Sequence, residues 1–234
     1  AKELIESYEG EISVTTLFDH GSIFKIMLPL IKKEKENYCY TLTPEQEIAT
    51  SHIISAVDKQ KYKGFLLKGV TGSGKTEVYI HLIQNALEKH QQVLYILPEI
   101  ALTVQITQRL QRIFGNQLGI YHSKYNDAER VEIWKKQLSD NPYKVILGVR
   151  SSVFLPFQNL GLIIIDEEHE TSFKQQDPAP RYHARSVAVM LAKMYNAKTL
   201  LGTATPSMES YYNACQGKYG LVELTTRFKD IALP

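Results

Sequence analysis

Two short segments of this chain hold residue types at spacings that suit phosphate chemistry. In Gly69-Val70-Thr71-Gly72-Ser73-Gly74-Lys75-Thr76 the glycines let a backbone curl so that successive N–H groups face an anion. Gly69, Thr71, Gly72, Ser73 and Gly74 would form the cradle, Lys75 would reach the β- and γ-phosphates, and Thr76 would offer its hydroxyl to Mg2+. The second segment, Ile163-Ile164-Ile165-Asp166-Glu167-Glu168-His169, delivers carboxylates from the end of an apolar run. Asp166 suits a metal held through water, and Glu167 suits the orientation and deprotonation of an attacking water. A Gly-rich turn and a solvated acidic loop are the plainer readings of each segment taken alone. Chance would produce the first pattern about once in a hundred chains of this length, and its pairing with the second makes the two halves of a nucleoside-triphosphate site the stronger reading. Lys75 and Glu167 are then the catalytic candidates.

Such residues work only if strands and helices present them together. Gly64 to Lys68 reads as a buried strand entering the first loop. After it, Val78, Leu82 and Ala86, flanked by Tyr79, Ile83 and Leu87, give a wide apolar face on a helix. Strand, loop and helix in that order also place a helix N-terminus at the phosphates. Further strands are expected at 92–97, 118–122, 143–147, 161–165 and 197–201. Helical patterns cover 45–59, 75–89, 101–114, 127–138, 182–195 and 207–216. This alternation predicts an α/β fold with a mostly parallel sheet and helices on both faces, its ligand at the carboxyl ends of the strands. Trp134, beside Ile133 and Leu138, reads as core, and His122 as a packed or capping residue. Residues 1–37 read as a small helical segment, with Leu4, Ile5 and Tyr8 on its first helix and Ile26, Leu30 and Ile31 on its last. The charged run Lys32 to Asn37 separates it from a domain over 38–234, in which Asp177-Pro178-Ala179-Pro180 marks an irregular loop.

Composition bounds the function classes. The 234 residues include 27 Lys plus Arg against 25 Asp plus Glu, so a nucleic-acid site would have to be local rather than a consequence of net charge. Cys39 and Cys215 are too few for a zinc cluster and fit reduced thiols in a cytoplasmic protein. No apolar run is long enough to span a bilayer, and the start lacks the apolar core of a signal peptide.

A third segment, Gly202-Thr203-Ala204-Thr205-Pro206-Ser207, follows an apolar strand and offers small hydroxyls that could touch Asp166 to His169. With it the chain resembles the superfamily 2 helicases, whose first RecA-like lobe carries a phosphate loop, a D-E-x-H box and a T-A-T motif in this order. Within them it is similar to the PriA family of primosomal replication-restart helicases. That likeness rests on Leu42-Thr43-Pro44-Glu45-Gln46, Leu97 to Thr103, Tyr121-His122-Ser123, Gly148 to Phe154, Asp166 to Glu170 and Pro180 to Arg185. It covers residues 41–234, while 1–36 resemble more loosely a partial winged-helix module.

The resemblance implies an RecA-like P-loop NTPase lobe of an ATP-dependent 3′-to-5′ DNA helicase that acts in replication restart and primosome assembly at stalled forks. ATP and Mg2+ would be its cofactors. Its partners would be single-stranded and forked DNA, primosome and other restart proteins, and single-stranded DNA-binding protein. Gln46 would sense adenine, or else be a solvent-facing residue of a helix start. Glu168, His169, Thr203 and Thr205 would couple hydrolysis to motion. Pro98, Glu99, Thr103, Arg150, Ser151, Lys174, Arg181, Tyr182 and Arg185 would meet DNA. For some of these an ordinary role stays open: Thr103 as a helix cap, Arg150 as a local partner, and Tyr182 with His183 packed on the sheet edge. A second RecA-like lobe, cysteine-rich zinc-binding segments and a module that captures a 3′ DNA end belong to the family but not to this sequence. The chain is therefore expected to be a piece of a longer protein that by itself binds nucleotide weakly, hydrolyses it slowly and unwinds nothing. A nucleotide-switched scaffold that recruits restart proteins without motor activity is the alternative, and an RNA helicase or another superfamily 2 translocase shares the core motifs.

Overall fold

A computed structural model describes residues 11–17, 21–27, 40–58, 64–122 and 125–227. The chain divides into two compact units, 1–37 and 38–234. In the first, β1 (Glu11–Leu17) pairs antiparallel with β2 (Gly21–Met27), Val14 opposite Phe24. This corrects the helical expectation for these residues, including Ile26. Residues that favour strands crowd both runs, Ile12, Val14, Thr15 and Thr16 in the first and Ile23, Phe24 and Ile26 in the second, and Asp19-His20-Gly21 between them has turn composition. Leu4, Ile5, Tyr8, Leu30 and Ile31 lie outside the described residues.

The second unit alternates helices and strands: α1 (Pro44–Asp58), β3 (Gly64–Gly69), α2 (Lys75–Glu88), β4 (Gln92–Ile96), α3 (Val104–Phe114) and β5 (Leu118–Tyr121). There follow α4 (Asp127–Leu138), β6 (Val145–Gly148), β7 (Leu160–Asp166), α5 (Ala184–Tyr195), β8 (Lys198–Thr203), α6 (Met208–Cys215) and β9 (Gly220–Leu224). Seven strands form one sheet in the order β5-β6-β4-β7-β8-β3-β9, every pairing parallel. Neighbouring residues of each strand feed opposite cores, as the two-residue pleat requires. Phe65, Leu67, Tyr95 and Ile164 pack with Ile53 of α1, Ile83 of α2 and Leu110 of α3, whereas Leu66, Leu94, Ile163 and Leu201 pack with Ile133 of α4 and Ala188 of α5.

Two details depart from the sequence reading. Trp134 is 44% exposed and shares the outer side of α4 with Val131 and Leu138, because α4 buries Ile133 and Gln137 instead. Strand β9 adds to the expected strands: its apolar residues are few, and pairing with β3 at the sheet edge, which buries Val222 and Leu224, gives it a place. His122 packs as expected, its ring 6.2 Å from that of Tyr125.

The chain leaving β9 is tied back to the start of α1. Glu45 accepts from the backbone N–H and hydroxyl of Thr225 (2.6 and 2.8 Å) and from the backbone N–H (3.1 Å) and hydroxyl of Thr226. Burial opposes ionisation of this carboxyl, but the four hydrogen bonds outweigh it and hold its pKa at about 2. A depressed carboxylate contributes stability that is fully present above its unfolded pKa and is lost as pH falls through the native value of about 2. Glu45→Gln should therefore speed amide exchange of Thr225 and Thr226 at neutral pH, with little difference from wild type near pH 2.

The parallel register aligns the loops that matter. Ile96 lies opposite both Gly148 and Ile165, Asp166 opposite Gly202, and Lys68 opposite Thr203. The segments following β3, β4, β6, β7 and β8 thus all emerge at one carboxyl edge, where open α/β sheets bind ligands.

Candidate functional site

The loop after β3 turns through Gly72 (φ 79°) and Gly74 (φ 77°), left-handed positions that favour glycine. Nothing lies within 4 Å of where a side chain on Gly72 would begin, so the cradle is open on that side. Gly74 is the N-cap of α2, and Lys75 begins the helix. The Lys75 ammonium donates to the Gly69 carbonyl (3.0 Å) and lies 3.9 Å from Glu167 Oε1. A cleft of about 510 Å3 is bounded by the loop from Thr71 to Glu77 and by Asp166, Glu167, Tyr40 and Arg109. Ser73 Oγ is buried there without a protein partner, a polar atom waiting for one.

Gln46, expected to sense adenine, is 1% exposed and spends both ends of its amide on protein. Its Nε2 donates to the Ser73 carbonyl (2.7 Å) and its Oε1 accepts from the Thr43 N–H (2.9 Å). It braces the loop, which removes the solvent-facing alternative. Gly74→Ala would set a Cβ 2.3 Å from Gln46 Nε2 at a left-handed φ. We expect this to cost about 2 kcal/mol of stability and most nucleotide affinity, read by thermal denaturation and titration with a fluorescent ATP analogue.

Asp166 ends β7 facing the same cleft. Its Oδ1 accepts from the Tyr79 hydroxyl (2.9 Å) and the Glu167 N–H (3.0 Å), and its Oδ2 from the Tyr95 hydroxyl (3.3 Å). Burial, then the neighbouring Glu167 charge, raises the Asp166 pKa, against the pull of Tyr79 and Lys75. Burial likewise pushes both tyrosine hydroxyls well up, so they stay protonated donors. From sequence, Tyr79 is only a flank of the apolar face of α2 and Tyr95 only part of an expected strand; a fully buried tyrosine needs a hydrogen-bond partner, and that is the available signal. It also missed Arg109, which ion-pairs with the buried Glu77 and lies 5.3 Å over the Tyr40 ring at the mouth of the cleft.

The turn after Asp166 is held at its second residue, Glu168. Glu167 has φ 46°, a conformation that a non-glycine residue adopts at a cost of about 1 kcal/mol. Glu168, fully buried, anchors it: its N–H donates to the Gly202 carbonyl (3.1 Å), and its carboxylate accepts from Arg185 (2.5 Å), the Ser207 N–H (2.7 Å) and the Ser210 hydroxyl (2.8 Å). Burial pushes the Glu168 pKa up, but these donors more than offset it and leave the carboxyl below its ordinary value. His169 Nδ1 lies 2.8 Å from Thr203 Oγ1 and 3.7 Å from Glu167 Oε2, and the Thr205 N–H donates to the same Thr203 hydroxyl (3.1 Å). The acidic turn and the T-A-T segment therefore form one connected polar network.

The residues expected at DNA divide. Glu99 is exposed and Pro98 buried on the loop after β4, beside Ile100, which is 85% exposed; Thr103 caps α3, accepting from the Ile106 N–H (3.4 Å). Lys174 and Arg181 are exposed and Ser151 half-buried. Arg150 donates to the carbonyls of Ser172 (3.1 Å) and Lys174 (3.3 Å), so it ties down the start of the 172–183 loop. Tyr182 packs edge-on to Phe154 with ring centres 4.8 Å apart. Arg185 is the correction: it is not presented to a ligand but committed to Glu168 and the Ser207 hydroxyl (2.6 Å), because an uncompensated buried carboxylate would cost more than a surface contact returns.

Comparison with known proteins bears on this geometry. The chain is 42% identical over 193 residues to replication restart protein PriA of Bacillus subtilis (strain 168), covering 82% of this chain and 24% of the relative. It is 45% identical over 221 residues to the PriA of Rickettsia typhi, covering 92% and 34%. The chain thus spans about a quarter to a third of the length of these relatives. Among solved structures it is similar in fold to RecG bound to a three-way DNA junction, with a TM-score of 0.61, 20% identity, and 99% of this chain and 29% of that one covered. Mycobacterium smegmatis Lhr bound to single-stranded DNA and AMP-PNP gives a TM-score of 0.57 at 20% identity, over 79% of this chain and 26% of that one. Residues 43–214 match the DEAD/DEAH box helicase family, whose ATPase domain binds ATP. With nearly three quarters of its length in that match and the phosphate loop and acidic turn facing one cleft, the chain belongs to the DEAD/DEAH box helicases.

Proposed function

We propose that this chain is the nucleotide-hydrolysing lobe of an ATP-driven 3′-to-5′ DNA helicase that restarts replication at stalled forks. The carrying observation is the meeting of Lys75, Asp166 and Glu167 in one cleft whose polar network continues through His169 to Thr203. Lys75 binds the terminal phosphates; at present it is occupied by a carbonyl and a nearby carboxylate that a phosphate would replace. Glu167, 3.9 Å from that ammonium, orients the attacking water and takes its proton. His169 and Thr203 carry the change in Glu167 to the strand edge, so that nucleotide state alters the DNA-facing loops.

The donor set fits Mg2+. The Thr76 side chain and the Asp166 carboxylate are hard oxygen donors bounding the same cleft, and the buried Ser73 hydroxyl lacks a partner beside them. Mg2+ held by Thr76 and Asp166 would neutralise phosphate charge during transfer. Among the described residues no group of three or more His, Cys, Asp and Glu stands together for a metal ion, and zinc belongs to the proposal for the full-length protein.

Exposed Glu99, Thr103, Lys174 and Arg181, with the half-buried Ser151 and Tyr182, form the surface we assign to single-stranded DNA. Restart proteins and single-stranded DNA-binding protein are the proposed protein partners, in a cytoplasmic setting. No helix among the described residues is long and apolar enough to cross a membrane. The test is ATP hydrolysis by the chain within its full-length protein, with DNA or RNA of equal length added. Strong stimulation by DNA alone is expected; stimulation by RNA alone, or by neither, would overturn the reading.

A further inference from the structure

We infer that Tyr79 and Tyr95 are positioning residues for the divalent cation, two buried hydroxyls that hold the Asp166 carboxylate at a set orientation, with Gly202 leaving the space that one of them needs. This rests on the nucleotide and Mg2+ reading above. The two tyrosines come from different elements, α2 and β4, and are both 0% exposed. Their rings meet edge to face with centres 5.6 Å apart, which fixes the separation of the hydroxyls. One donates to each Asp166 oxygen, at 2.9 and 3.3 Å, while the Glu167 N–H adds a third bond at 3.0 Å. A carboxylate so held cannot rotate about its terminal torsion, and of its four lone-pair sites the three bonds leave one, on Oδ2, for a cation in the cleft that Asp166 lines with Thr76.

The neighbouring strand takes part through an absence. A Cβ on Gly202 would lie 1.7 Å from the Tyr79 hydroxyl oxygen and 2.8 Å from its Cζ. Gly202 also accepts the Glu168 N–H and precedes Thr203, so the same point of β8 touches the cation-orienting tyrosine and the His169 network. Any side chain there would push Tyr79 off Asp166.

The experiment uses Mn2+ as the probe. It is titrated into the full chain with saturating ADP and followed by the paramagnetic resonance signal of free Mn2+, with ADP affinity in EDTA and thermal denaturation measured alongside. Tyr79→Phe and Tyr95→Phe keep the ring and remove only the hydroxyl; each is expected to weaken Mn2+ binding about tenfold while metal-free ADP affinity and melting stay near wild type. Gly202→Ala should weaken Mn2+ binding to the same extent as Tyr79→Phe, and the double substitution should be no weaker than Gly202→Ala alone. Wild-type Mn2+ binding that depends on Lys75, with unchanged affinity in both Phe variants, overturns the positioning role and leaves the nucleotide reading standing. A fall in metal-free ADP affinity equal to that for Mn2+ would also overturn it, as loss of general structure. Wild-type chain with no saturable binding sensitive to Lys75→Ala overturns the nucleotide reading, and this inference with it.

Discussion

Glu167→Gln should lower ATP hydrolysis about a hundredfold to a thousandfold while nucleotide binding persists or tightens. The two effects have separate causes in one side chain. Glutamine keeps the shape of glutamate but cannot take a proton from water, so the chemical step fails. Its neutrality also removes a negative charge that lies 3.9 Å from the Lys75 ammonium and would face the terminal phosphate, so the lysine is freed for the ligand. Lys75→Ala should instead lose both binding and hydrolysis. Phosphate release under single-turnover conditions, paired with titration of a fluorescent ATP analogue, distinguishes the two variants. Hydrolysis by Glu167→Gln at the wild-type rate would remove Glu167 from the chemistry. The His169 contact adds a further reading, since the loss of charge also weakens its 3.7 Å approach to Glu167.

Arg185→Ala should cost about 3 kcal/mol of stability and lower the melting temperature by about 10 °C. The substitution leaves Glu168, fully buried, with hydroxyl and backbone donors but no countercharge. Because the native Glu168 pKa lies below its ordinary value, this stabilisation is present above the unfolded carboxylate pKa and fades as pH falls through the native one. The gap in melting temperature between wild type and variant should therefore narrow in acid. Removing both partners, as Glu168→Met with Arg185→Met, should cost less than Arg185→Ala alone, since no buried charge is left over. If Arg185 served DNA and not the fold, melting would be unchanged and only DNA affinity would drop. Because the pair anchors the turn that carries Glu167 and His169, a stability defect here should also slow hydrolysis at temperatures where the protein stays folded.

The alternation of strands and helices from Gly64 to Cys215 is legible in the order of residues, because buried parallel strands read as continuous apolar runs and amphipathic helices repeat at 3.6 residues. The two halves proposed for a nucleotide site are legible there as well, since the glycines at Gly72 and Gly74 and the carboxylates of Asp166 and Glu167 at the end of β7 suit phosphate by local backbone and charge chemistry. Local chemistry could not say what each polar side chain would meet. Gln46 reads as a ligand sensor, and only the packing of α1 against the phosphate loop turns its amide onto Ser73. Arg185 reads as a DNA contact, and only the register that sets β7 beside β8 brings Glu168, Ser207 and Ser210 around it. Tyr79 reads as a flank of an apolar helix face and Tyr95 as one residue of a strand, yet the fold brings their hydroxyls to Asp166 across 87 and 71 residues of chain. Residues 11–27 went astray for the opposite reason, a short stretch in which two periods compete and the strand pairing of Val14 with Phe24 decides. Burial and long-range pairing are properties of the assembled sheet, and they assign the partners that spacing alone leaves open.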